Sequence, residues 1–160
     1  MIKAAVKEVE SVVGGKGLDI LMNNAGINQK YFGPIAKTYA PALPYSNLRP
    51  IEDFKHTFDV NFIGVQNVTS AFLPLLRLGA KKIIVDVSTF LASLQLNDGR
   101  WKMYAIHAYN VSKAALNFLV RTYAAELVDE GFTVVAMNLG VSPFRCDLTD
   151  FGVCSYGYES

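Results

Sequence analysis

Lys82-Ile83-Ile84-Val85-Asp86-Val87-Ser88 (KIIVDVS) is the clearest strand in the chain: it is apolar and β-branched, and no Gly or Pro interrupts it. Working outward, the next long pattern runs from Tyr109 to Glu130. There Val111, Ala114, Ala115, Phe118, Leu119 and Ala125 recur at three- and four-residue steps, which predicts one amphipathic helix stopped at Gly131. On the other side, Ile51 to Arg77 sets Phe54, Phe58, Asn61, Phe62, Val65, Val68 and Phe72 on a broad helical face, and Pro74 should kink or end that helix. Asn61 falls among apolar neighbours, and a buried amide needs partners, so it is either structural or part of a site.

Two shorter apolar runs complete the set of strands. Phe132 to Met137 is one, and Ile20-Leu21-Met22 is the other, bounded by the turn-forming Asn23-Asn24-Ala25-Gly26. Ile2 to Val13 carries a helical stripe of Ile2, Ala5, Val6, Val9 and Val13, ended by Gly14-Gly15. Ile27 to Pro50 holds Gly33, Pro34, Pro41, Pro44 and Pro50 and reads as a long loop, either a functional lid or an ordered surface insertion. Thr89 to Ala108, with the turn signal Asn97-Asp98-Gly99, is a second loop. The alternation of helix and strand predicts an α/β fold with a parallel sheet, because the crossovers are long enough for parallel pairing. Ligands in such folds bind beyond the carboxyl ends of the strands. Asn23 to Gly26, Ser88-Thr89, Gly140-Val141 and the start of the Tyr109 helix all fall there.

A chain of 160 residues, 51% hydrophobic and 18% charged, is sized for one globular domain, and its net charge of +1 gives no reason to expect nucleic acid as a partner. The apolar runs are too short for a membrane span, and Met1 to Val13 lacks a signal-peptide core, which points to a cytoplasmic protein. Cys146 and Cys154 read as free thiols, and neither has a histidine at zinc-ligand spacing, so no metal is expected. Of His56 and His107, only His107 is near enough to Tyr109 to line a pocket.

The chemistry-bearing spacing is Tyr109-Asn110-Val111-Ser112-Lys113. Residues four apart on a helix share a face, so the phenol and the ammonium should stand close. A nearby fixed cation favours the ionised phenol, so Lys113 should lower Tyr109 toward general-base range. In a chain with eight Tyr this spacing alone is a weak signal, because a solvated tyrosine beside a surface lysine has the same pattern.

Taken in order, the motifs resemble the short-chain dehydrogenase/reductase family. They are Asn23-Asn24-Ala25-Gly26 after a strand, Asn61 within Val60-Asn61-Phe62-Ile63-Gly64, Ser88-Thr89 ending a strand, and Tyr109-x-x-x-Lys113. The similarity runs from about Ile2 to Val141, and Tyr109 to Phe132 is especially similar to filamentous-fungal members. The resemblance implies a partial, doubly wound Rossmann-type three-layer sandwich over residues 1–141, followed by a divergent, mobile tail over 142–160. It also implies an NAD- or NADP-dependent oxidoreductase acting on a small-molecule alcohol or carbonyl. Tyr109 would be the acid/base. Lys113 would lower its pKa and bind the nicotinamide ribose, and Asn61 would hold a water of the proton relay. Asn24, Ala25 and Gly26 would approach the cofactor through their backbone, with Val141 beside it. Thr89 is the direct match for the hydroxyl that polarises the carbonyl, with Ser88 and Ser93 as alternatives. Thr89 stands twenty residues before Tyr109, against about a dozen in the family, so the choice stays open.

The family's Thr-Gly-x-x-x-Gly-x-Gly cofactor loop is absent. Gly14-Gly15-Lys16-Gly17 precedes a strand, whereas a phosphate loop follows one, so it reads as a helix stop. About three strands and two helices of the family's first βαβαβ portion are lacking, which would leave the strand at Leu18 to Met22 as an open edge. Poor solubility or homo-oligomers follow as expectations, through that edge or through helices 51–77 and 109–130. The alternative function is a catalytically inactive truncated remnant or an interaction protein.

Overall fold

The computed structural model describes residues 1–28, 51–96 and 107–139. Three parallel strands, β1 (Ile20–Asn23), β2 (Ile83–Ser88) and β3 (Thr133–Asn138), lie side by side in that order. Their register is unbroken: Ile20 pairs with Ile83, Ile83 with Thr133, and so on to Ser88 with Asn138. Helix α1 (Ile2–Val13) precedes β1. From β1 the chain returns through α2 (Ile51–Phe58), a π-helical stretch (Asp59–Gly64) and α3 (Val65–Leu78); from β2 it returns through α4 (His107–Glu126) and a 3-10 turn (Val128–Glu130). This is the expected α/β parallel-sheet architecture of a partial Rossmann-type fold, with helix-bearing crossovers because parallel neighbours cannot be joined by a tight turn.

Alternate residues of a strand face opposite ways, so the sheet sorts its side chains into two sets. Leu21, Asn23, Ile84, Asp86, Ser88 and Val134 share the face on which α3 and α4 pack. Ile84 and Val134 join Val65, Phe72, Leu75, Leu76, Leu116, Val120 and Tyr123 in one core, and Leu21, Val6 and Val9 pack against it. On the opposite face the outer side chains are exposed: Ile20 by 43%, Met22 by 55%, Val135 by 38% and Met137 by 39%.

Two local expectations need correction. The helix predicted over 51–77 is not uniform, because its middle widens into the π-helical stretch, and it continues through Pro74 to end at Leu78. A proline costs its helix the hydrogen bond to the carbonyl four residues back, here that of Ser70, which is exposed and can turn to water. The helix predicted over 109–130 starts two residues earlier, at His107, and ends at Glu126; a 3-10 turn then carries the chain to Gly131 at φ 80°. Gly14, at φ 57°, caps α1 in the left-handed conformation, so the glycine cluster is a helix stop.

The bulk of the Ile27 to Pro50 loop, the second half of the Thr89 to Ala108 loop, Val141, both cysteines and the tail lie outside the described residues. No described helix is long and apolar enough to cross a membrane, and no group of His, Cys, Asp or Glu among the described residues is placed to hold a metal.

Candidate active site

Because the strands are parallel, Asn23, Ser88 and Asn138 end on the same side of the sheet, and the site residues gather there. Asn61 organises this end. It is fully buried, and its side chain has the partners a buried amide requires: Oδ1 accepts from the Ile27 N–H at 2.8 Å, while Nδ2 donates to the Ile27 carbonyl at 2.9 Å and to Ser112 Oγ at 3.0 Å. Ser112 Oγ in turn donates to the Tyr109 carbonyl at 2.8 Å. One amide therefore ties the loop after β1 to the first turn of α4. It does so from within the π-helical stretch, a departure from regular helix that is frequent at functional sites.

That loop comes very close to α4. A Cβ on Gly26 would stand 3.3 Å from both Asn61 Oδ1 and Lys113 Nζ, so any side chain there would crowd the lysine. Asn24, Ala25 and Gly26 are exposed at the carboxyl end of β1.

Tyr109 and Lys113 are one turn apart, with the ammonium 5.9 Å from the centre of the phenol ring. The predicted proximity holds, but the predicted direction of the Tyr109 pKa does not. Burial pushes the phenol above its ordinary value. The ammonium lies over the ring and donates to the Val87 carbonyl at 2.6 Å. Tyr109 is thus a neutral phenol at pH 7, suited to donating a proton. Lys113 is itself 3% exposed; burial lowers its pKa, and Asp86 works in the opposite direction.

The three candidate hydroxyls differ in what their protons are doing. Ser88 Oγ is buried and donates to Asn117 Oδ1 at 2.6 Å. Thr89 Oγ1 accepts from the Leu91 N–H at 3.3 Å, capping the short 3-10 helix Phe90–Ala92, and Ser93 Oγ accepts from the Leu96 N–H at 3.3 Å. The last two remain able to donate. His107 is exposed, at the first position of α4.

Sequence reasoning missed four supporting residues: Asn23 as a side chain, Asp86, Ser112 and Asn117. Asn23 Nδ2 donates to Asp86 Oδ1 at 2.7 Å and to Thr69 Oγ1 at 3.0 Å, all three residues being buried. The available signal was Asp86, a lone carboxylate in an otherwise apolar strand. Burial raises its pKa, opposed by the Asn23 hydrogen bond and then by Lys113.

Comparison with known proteins identifies the family. The family described as short chain dehydrogenase matches residues 1–147. The chain belongs to the short-chain dehydrogenase/reductase family. That match extends a little past Val141, where the recognisable motifs end. The C-signal protein of Myxococcus xanthus is 36% identical over 124 residues, which is 77% of this chain and 64% of that protein. Short-chain dehydrogenase/reductase AacuF of Aspergillus aculeatus is 33% identical over 143 residues, covering 87% of this chain and 50% of that one. Among solved structures, NADPH-bound carbonyl reductase from chicken fatty liver superposes with a TM-score of 0.70 at 30% identity, covering 86% of this chain and 52% of that one. The chain therefore spans about half to two thirds of the length of these family members.

Proposed function

We propose that the chain carries the reducing centre of an NAD(P)-dependent oxidoreductase that interconverts an alcohol and a carbonyl by hydride transfer. The observation that supports this reading best is the Tyr109–Lys113 pair on one helical turn, its ammonium 5.9 Å from the ring, at the strand end where Thr89 follows β2. Tyr109 donates a proton to the carbonyl oxygen or withdraws it from the alcohol. Thr89, whose hydroxyl keeps its proton available, holds that oxygen and is preferred over Ser88, whose proton is committed to Asn117.

The residues present fit the nicotinamide–ribose end of a dinucleotide. Lys113 offers an ammonium to a ribose hydroxyl, and glycine at 26 leaves open the approach that a Cβ would close. When bound, the cofactor supplies the hydride. Asn61 contributes through position: its side chain is occupied by Ile27 and Ser112, so any water of a proton relay is held by the main chain around it. The substrate is a small-molecule carbonyl or alcohol.

A second reading has its own support. The sequence contains no glycine-rich loop after a strand of the kind that cradles a pyrophosphate, and a catalytically inactive or interaction protein would need none. Titration of the purified chain with NADPH and NADH, followed by nicotinamide fluorescence, separates the two. Binding of either cofactor, with carbonyl-dependent oxidation of it, supports the reductase; no binding at millimolar concentration leaves the second reading. Where turnover is found, Tyr109→Phe should abolish it while sparing cofactor affinity.

A further inference from the structure

One buried carboxylate has no part in the chemistry above. Asp86 is 1% exposed on the helix-facing side of β2, in a strand whose remaining residues are Ile83, Ile84, Val85, Val87 and Ser88. An aliphatic residue would fill that row without the cost of desolvating a charge. The structure instead fixes the carboxylate in place. Thr69 on α3 holds the Asn23 amide at 3.0 Å, and the same amide donates to Asp86 Oδ1 at 2.7 Å.

The next residue explains the arrangement. The Val87 carbonyl accepts from Lys113 Nζ at 2.6 Å, which places a buried ammonium one residue along the strand from a buried carboxylate. The other described groups around the pair are neutral: Asn23 from β1, Thr69 from α3, Asn61 from the π-helical stretch, Gly26 from the loop and the Tyr109 phenol from α4. Among the described residues, Asp86 is the charged group that acts on Lys113, and the influence is mutual: burial drives each toward its neutral form and each draws the other back.

We propose that Asp86 is a positioning residue, a buried counter-charge locked by Asn23 that keeps the Lys113 ammonium charged where it donates to the Val87 carbonyl. Its consequence for turnover rests on the reductase reading, whereas its effect on Lys113 does not. Without the counter-charge, the lysine beside Tyr109 would escape burial by shedding its proton, and the site would lose its cation at a lower pH.

The test is a side-chain NMR titration of the full chain, with the Lys113 signal assigned through Lys113→Arg. Asp86→Asn keeps an acceptor for the Asn23 amide and removes only the charge. The Lys113 midpoint should shift down in Asp86→Asn while the other lysines stay put; an unmoved Lys113 midpoint overturns the proposal. If that variant does not fold, the wild-type chain still decides. The Asp86 carboxyl carbon should show a step at the pH where Lys113 loses its proton, and a carboxyl signal blind to that event overturns the proposal as well. Turnover, where present, should lose its alkaline range in Asp86→Asn through kcat more than KM. A chain that binds no cofactor yet shows the Lys113 shift retains the positioning role and loses the reductase reading.

Discussion

The two faces of the sheet differ in where their polar residues lie. On the helix-facing side the strands bury polar residues, Asn23, Asp86 and Ser88, each hydrogen-bonded to another side chain. On the opposite side the outer strands expose apolar ones, Ile20, Met22, Val135 and Met137, while Val85 of the central strand is buried. Buried polar groups are tolerated only when paired, so the covered face has been built around a site; exposed apolar side chains in adjacent strands call for a cover. The difference teaches that chemistry and core share one face of this sheet, while the other contributes packing surface alone.

Truncating one apolar side chain on each face separates the two. Leu116→Ala, in the covered core, should cost about 2–5 kcal/mol of unfolding free energy. Met137→Ala, on the outer face, should change it by no more than about 0.5 kcal/mol. Chemical denaturation of both variants measures this, and comparable losses would mean the outer face is packed after all.

Asn61→Ala should come next. It strips partners from the Ile27 N–H and carbonyl and from Ser112, and a loss on the order of 1–3 kcal/mol follows from leaving such groups unpaired. Hydrogen exchange at Ile27 should accelerate; an unchanged rate would show that the loop is held by something else.

A pH series probes the charge buried on the covered face. Burial raises Asp86, so the folded chain holds a proton that the unfolded chain releases near its ordinary value, about 3.9. Stability contributed by this group is therefore full at low pH, and falls as pH rises from that value through the folded one. The urea midpoint should trace that fall in the wild type, and the same leg should be absent in Asp86→Asn. The outer face, formed by Ile20, Met22, Ile83, Val85, Val87, Thr133, Val135 and Met137, has no titratable group to add. The smallest stability effect, within about 0.5 kcal/mol, is expected from Met22→Thr combined with Met137→Thr. The same pair should lower apolar-dye binding and sharpen sedimentation toward a single species; unaltered sedimentation would move any association to the strand edges or the helices.

Much of this architecture was legible before any coordinates. The β-branched run at Ile83 to Ser88, the apolar period of the α4 sequence and the glycines at 14 and 131 each report a local preference, and local preferences read well from a sequence. Asn61 announced its need for partners by standing among apolar neighbours. The π-helical widening around it carried no such signal, because it depends on packing against α4. Pro74, four residues before the end of α3 at Leu78, was legible as a mark near the end of that helix.

By itself, the sequence determined the order of elements, the parallel sheet, the family and the Tyr109–Lys113 spacing, since each is written in local residue patterns, in motif order or in the length of the crossovers. Only the tertiary structure decided how that pair behaves. Burial raised the pKa of the Tyr109 phenol, and packing turned the Lys113 ammonium toward the Val87 carbonyl. The partners of Asn61, the commitment of the Ser88 proton and the place of Asp86 beside Lys113 are likewise products of residues far apart in sequence. Their energies depend on distance and desolvation, which no local pattern encodes.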